Sequence, residues 1–163
     1  MSRLDSFIRR LEAQRACLDR AVELVHELPG PVLELGLGNG RTYDHLRERL
    51  PGREIFVFER EVAAHPGCIP PARYLVLGDL LDTVPRAAQR LPAPAALVHA
   101  DIGSGDEAAT LRLAAALAPH IRRLMAPGGV VASDQPMAIP GLRALPLPVG
   151  VVDGRYYLYR ATH

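Results

Sequence analysis

Residues 32–42 read VLELGLGNGRT, a short apolar strand interrupted by Glu34 and followed by glycines at alternate positions, Gly36, Gly38 and Gly40. Glycine lets the backbone turn through positive φ and lets a ligand approach without meeting a Cβ. In an open α/β sheet, ligands lie at the carboxyl ends of the strands, where the chain order reverses. A strand, a glycine loop and a helix in that order therefore predict a ligand over Gly36, Gly38 and Gly40. The dinucleotide fingerprint places its third glycine three residues after the second. Here that position is Arg41 and the glycine comes one residue early, which argues against a nicotinamide oxidoreductase.

Upstream of the loop, Leu4, Phe7, Ile8, Leu11, Leu18, Ala21, Val22, Val25 and Leu28 follow a helical stripe, stopped by Pro29-Gly30-Pro31. Downstream, short apolar runs alternate with amphipathic stretches. They predict strands at about 32–35, 54–58, 73–77, 95–100 and 129–133 and helices at about 40–49, 60–64, 84–91 and 106–125, with Pro119 breaking or kinking the last. Such alternation gives right-handed crossovers and a parallel sheet covered on both faces. Residues 142–147 and 155–160 are strand-like and too close together for a crossover helix, so they predict a closing antiparallel hairpin. The fold class expected is α/β, a doubly wound, seven-stranded, mostly parallel sheet. Residues 1–163 form one domain, and the leading helix 4–28 is expected to act as a lid or a dimer contact.

A chain of 163 residues suffices for one core. The formal net charge is +1, which gives no general attraction for nucleic acid or an anionic membrane. All nineteen basic residues are Arg, so no mechanism can use a catalytic lysine; with the abundant Ala and Pro, this reads as GC-rich coding bias. Cys17 and Cys68 are isolated thiols expected to pack in a reducing compartment. The charged opening MSRLDSFIRRLEAQ is unlike a signal peptide and no apolar run has membrane-spanning length, so the expected location is cytoplasmic.

The segment ELGLGNG resembles the first motif of class I S-adenosylmethionine-dependent methyltransferases at every fixed position. EIFVFERE, YLVLGDLL, ALVHADIG and LMAPGGVVASD are similar to that family's second to fifth strands in order and spacing, over roughly residues 30–163. The resemblance implies a Rossmann-like methyltransferase fold with S-adenosylmethionine as cofactor. It places Glu34 near the cofactor's amino group, Glu59 on the ribose hydroxyls and Asp79 by the adenine, with Gly36, Leu37, Gly38, Gly40, Arg60, Leu80 and Asp101 completing the cofactor site. The chemistry agrees: this cofactor has no phosphate to cradle, and one carboxylate can accept both vicinal ribose hydroxyls.

For the acceptor side, three sets of residues offer to handle a proton or a charge. HAD and SDQ are similar to the cation-binding segments of catechol O-methyltransferase-like enzymes, which implies a Mg²⁺ held by Asp101, Asp134 and Gln135, although Gln135 replaces an asparagine and the family's lysine is missing. His99 precedes Asp101 by two residues, so the two share one face of a strand and are the candidate catalytic pair. Asp101 with Asp106 is the third set. The expected activity is methyl transfer to a small-molecule acceptor, an oxygen atom favoured, by a homo-oligomer that binds neither nucleic acid nor membrane. The competing expectation is a non-catalytic S-adenosylmethionine-binding module or a subunit of a larger complex.

Overall fold

The computed structural model describes residues 1–163. Helix α1 spans Arg3–Val25 and starts at a capping box in which Ser2 Oγ accepts from the Asp5 amide and the Asp5 carboxylate accepts from the Ser2 amide. Then follow β1 (Val32–Leu35), α2 (Arg41–Arg49), β2 (Ile55–Glu59), β3 (Leu75–Leu77), α3 (Leu80–Thr83), β4 (Ala95–Ala100), α4 (Glu107–Leu124), β5 (Met125–Ser133), β6 (Leu142–Ala144) and β7 (Tyr157–Ala161). The sheet order is β3-β2-β1-β4-β5-β7-β6. The first five strands are parallel; β7 runs antiparallel to both β5 and β6. The closing hairpin is thus present, with its later strand inside the sheet and its earlier strand at the edge. No helix is long and apolar enough to cross a membrane.

Alternation along the strands sends side chains to two separate cores. Leu33 and Leu35 of β1 and Val98 of β4 pack with Ala114, Leu117 and Ile121 of α4 on one face. Val32 and Leu97 pack with Leu18, Val22 and Leu46, from α1 and α2, on the other. By the same alternation Glu34 and His99, which are register partners across β1 and β4, lie on the α1–α2 face.

Three expectations are corrected. Residues 60–64 form no helix: the β2–β3 connection is irregular, with 3₁₀ turns only at Pro66–Cys68 and Ala72–Tyr74, the second shortening the strand expected at 73–77. A five-residue helix cannot recover its nucleation cost. Pro119 does not break α4, because Pro119 and the Ala115 carbonyl it leaves unbonded both lie on the exposed face. The helix expected at 84–91 begins earlier, at the Asp79 cap, as one α-helical turn that continues as 3₁₀ through Val84–Gln89.

The leading helix contributes directly to the core. Its second half, including Cys17, Leu18, Ala21, Val22 and Val25, is part of the core. Leu18, Val22 and Val25 alone contribute roughly 5–9 kcal/mol by burial, comparable with the total of about 5–15 kcal/mol that holds a domain folded. Burial also pushes the Cys17 thiol pKa up to about 11, so this thiol is inert packing. Only the first half of α1 overhangs: Leu4, Phe7 and Ile8 are 66%, 46% and 44% exposed.

Candidate functional site

The three glycines of the loop have different reasons to be glycine. All have positive φ, but a Cβ on Gly36 would stand 2.5 Å from the Asp101 carbonyl oxygen and one on Gly40 2.5 Å from the Cys68 Cβ. Those two positions are fixed by the protein's own packing. At Gly38 nothing lies within 4 Å, so that is where the loop leaves room for a ligand.

Beside it opens a cleft of about 480 Å³ at the carboxyl ends of β1, β2 and β4, a size that suits a nucleoside-type ligand. Gly36, Gly38, Glu59, Arg60, Asp79 and Asp101 all line it, as does Leu80. The structure therefore brings together seven of the ten residues expected at the cofactor. Phe58, Ile102 and Leu113 add apolar walls that no sequence motif marked. Larger cavities of about 570 and 600 Å³ lie elsewhere, at the amino ends of the strands and between α1 and residues 149–155.

The other three expected residues do not line the cleft. Leu37 is buried among α1–α2 side residues while its amide donates to Glu59. Gly40 is the N-cap residue of α2. Glu34 is wholly buried and does not line the cleft. Its Oε1 accepts from Thr42 Oγ1 at 3.0 Å and meets His99 Nδ1 at 2.6 Å, whereas Oε2 is buried without a partner.

Glu59 closes the loop. Its Oε2 accepts from the Leu37 and Gly38 amides at 2.7 and 3.1 Å, and its Oε1 from the Arg60 amide at 2.7 Å. Of about four acceptor positions on an ionised carboxylate, three are occupied. Asp79 caps α3 through the Leu81 amide and binds Arg60 at 2.8 Å. The Arg60 hydrogen bond, then the Leu81 amide, hold its carboxyl below the usual carboxylate range.

His99 is also wholly buried. Its Nδ1 faces Glu34, and its Nε2 meets the Tyr156 hydroxyl, accepting that proton in the neutral ring and donating to the oxygen when the ring is charged. Burial opposes the charged ring, yet the charge and hydrogen bond of Glu34, helped by the fields of Asp101 and Asp134, raise the His99 pKa above 6.5. Burial raises the Tyr156 hydroxyl well above its ordinary pKa of 10, so it stays protonated. His99 therefore reaches the cleft only through other side chains. The next link is Gln14 of α1, 6% exposed, whose amide donates to Asp101 Oδ2 at 3.0 Å and to the Tyr156 hydroxyl oxygen at 3.4 Å. Sequence reasoning missed both Gln14 and Tyr156. The signal for Gln14 was an uncharged polar residue on the apolar stripe, between Leu11 and Leu18.

A divalent cation does not fit the donor set expected for it. Asp134 accepts from the Ile102 and Gly103 amides at 3.1 and 2.9 Å, so both its oxygens clamp the loop after β4. Gln135 turns its amide onto Asp134, and Asp101 gives one of its two oxygens, Oδ2, to Gln14. No three His, Cys, Asp or Glu side chains converge as a ligand group. Burial, with the field of Asp101, raises the Asp134 carboxyl pKa. Asp106, the remaining candidate base, is the N-cap of α4 and accepts from the Ala109 amide.

The whole chain can be set against known proteins. A family model described as S-adenosyl-L-methionine methyltransferase matches residues 1–161. No curated protein matches the chain in sequence. A crystal structure of an S-adenosyl-L-methionine methyl transferase from Silicibacter pomeroyi DSS-3 is 50% identical, covers 99% of each chain and superposes with a TM-score of 0.93. Two more distant structures share the fold. Human methyltransferase-like protein 13 in complex with SAH has 16% identity, TM-score 0.59 and coverage of 97% of this chain and 80% of that one. The O-methyltransferase TomG from Streptomyces achromogenes in complex with SAM has 17% identity, TM-score 0.61 and coverage of 90% and 79%. The glycine loop, the cleft beside it and the full-length match agree, and the chain belongs to the S-adenosyl-L-methionine methyltransferase family.

Proposed function

We propose that this methyltransferase acts on a small-molecule acceptor through an oxygen atom, without a metal, and that its cofactor lies in the cleft beside Gly38. The observation that carries the reading is the convergence of Gly36, Gly38, Glu59, Asp79 and Asp101 on that cleft. When bound, the cofactor supplies a methyl group on a sulfonium, activated for in-line displacement. Glu59 receives the ribose hydroxyls, using its free acceptor position and yielding one loop amide; Asp79, Leu80 and Arg60 border the adenine. Glu34 supports the loop from below through Thr42 and His99.

A hydroxyl acceptor must lose its proton as its oxygen takes the methyl group. Asp101 is the carboxylate on the cleft wall that accepts it, and Gln14, with one hydrogen bond to Oδ2, orients it. His99 and Tyr156 set the position of Gln14 and do not touch the acceptor. Positioning of this kind is the main contribution a protein makes to a displacement at an already activated carbon. The exposed half of α1 (Leu4, Phe7 and Ile8) serves as a cover over the acceptor side or as the contact with a second copy.

The test is calorimetric and product-based. The protein should bind S-adenosylhomocysteine in the micromolar range and not bind NAD. It should transfer labelled methyl to hydroxyl compounds equally well with and without EDTA. Binding of NAD in place of S-adenosylhomocysteine would overturn the cleft assignment, and loss of turnover in EDTA would overturn the metal-free reading.

A further inference from the structure

A second cavity adjoins the cofactor cleft across one hydrogen bond. It is a groove of about 350 Å³ between α1 and α2. Gln14 lines this groove and Asp101 lines the cleft, and the 3.0 Å bond between them is the partition. Thr42, bonded to Glu34 beneath the glycine loop, lines the groove as well. A molecule seated there would have its nearest end at Asp101, the carboxylate given the acceptor's proton above.

The lining has two chemical parts. Ile8, Leu11 and Leu18 form an apolar wall, which the exposed Phe7 and Leu4 extend along the same face of α1. Arg15 and Arg41 bring two guanidinium groups, and neither enters an ion pair; the chain's arginine ion pairs are those of Arg20, Arg47, Arg49 and Arg60. The remaining charged groups are Glu12 and His45, and His45 is engaged with Asp19 at 2.9 Å. The cleft itself is the reverse: Glu59, Asp79 and Asp101 are acidic, and its one cation, Arg60, is held by Asp79. The groove therefore offers two unpaired cations where the cleft offers none, and Arg15 also borders the larger cavity beside residues 149–155. Arginine forks match carboxylates in two parallel hydrogen bonds, and an apolar wall selects a ligand with an apolar body.

We infer that the α1–α2 groove is the acceptor subsite and that it selects a hydroxylated anion with an apolar body. The carboxylate, or an equivalent anion, lies on Arg15 and Arg41, the body lies on Ile8, Leu11 and Leu18, and the hydroxyl points to Asp101. In the transfer, an acceptor oxygen–carbon bond forms as the sulfonium–carbon bond breaks, the electron pair stays on sulfur, and the hydroxyl proton passes to Asp101. This rests on the cofactor reading of the neighbouring cleft.

The experiment uses the full chain saturated with S-adenosylhomocysteine and a panel of probes: benzoate, 4-hydroxybenzoate, phenylacetate and octanoate, each against its neutral alcohol counterpart. The carboxylates should bind about tenfold or more tightly than the alcohols, and Arg15→Ala and Arg41→Ala should each weaken them by about tenfold. Both variants should keep the parent's unfolding midpoint and bind S-adenosylhomocysteine within about twofold of the parent. Equal binding of acids and alcohols, or binding of neither to the loaded protein, would overturn the inference. So would a selective loss of S-adenosylhomocysteine affinity in the variants with 5′-methylthioadenosine binding unchanged, since the arginines would then hold the cofactor's own carboxylate. A parent that binds neither nucleoside would instead remove the cofactor reading, and this inference with it.

Discussion

Glu34 Oε1 and His99 Nδ1 stand 2.6 Å apart between adjacent strands β1 and β4, and neither side chain has any exposed surface. A pair so placed is costly to break, because the remaining partner is left buried and uncompensated. His99→Leu should destabilise the domain by about 3–5 kcal/mol. Denaturant titration at pH 6 measures this, and a change within about 0.5 kcal/mol would mean that Glu34 finds another partner.

The same pair sets a pH dependence. The folded-state pKa of His99 is raised above its unfolded value of 6.5. The stability it contributes is therefore fully present below pH 6.5 and is lost as pH rises through the folded pKa. Unfolding midpoints should fall as pH is raised from 6 through that window, and His99→Asn should flatten the slope. A parent midpoint that rises across the window contradicts the assignment.

Glu59 holds the Leu37 and Gly38 amides, and the proposed ribose role would make it the joint between cofactor and loop. Glu59→Ala should lower S-adenosylhomocysteine affinity by about 30- to 1000-fold, corresponding to roughly 2–4 kcal/mol for two charge-assisted hydrogen bonds. Glu59→Gln should fall between parent and Ala. Calorimetry in which Glu59→Ala binds like the parent would remove the ribose role.

Gly36 and Gly38 should respond differently to alanine. Gly38→Ala has open space and adds only the cost of a left-handed alanine, about 1–2 kcal/mol, so it should fold and bind cofactor poorly. Gly36→Ala drives a Cβ to 2.5 Å from the Asp101 carbonyl oxygen and should lose stability first. Unfolding midpoints beside binding isotherms distinguish the two, and equal destabilisation by both would contradict the division.

Deleting residues 1–28 should abolish folding, because the deletion strips Leu18, Val22 and Val25 from the core. Replacing Phe7 and Ile8 by glutamate should leave the fold intact, since both side chains are about half exposed. If these residues make the contact with a second copy, light scattering will show a lower mass for the double variant. A folded, cofactor-binding truncation would show that α1 is dispensable after all.

The local periodicities of the sequence determined the order of the seven strands along the chain, the glycine loop and the carboxylates at the ends of β2 and β4. Each of these is written in a few consecutive residues: an apolar run bounded by glycine places its own end, whatever packs on it later. Glu59, Asp79 and Asp101 converge on one cleft because parallel strands deliver all their carboxyl ends to the same edge of the sheet. The buried polar chain was decided by tertiary structure alone. Glu34 and His99 are 65 residues apart, and Gln14 and Tyr156 are 142 apart. Only the register of β1 against β4 and the seating of α1 beside β7 make them neighbours. The same packing kept Glu34 out of the cleft lining, gave Asp134 to backbone amides and moved half of α1 into the core. Burial and hydrogen-bond completion are settled by what lies across the fold, and a residue's neighbours in sequence carry no record of that.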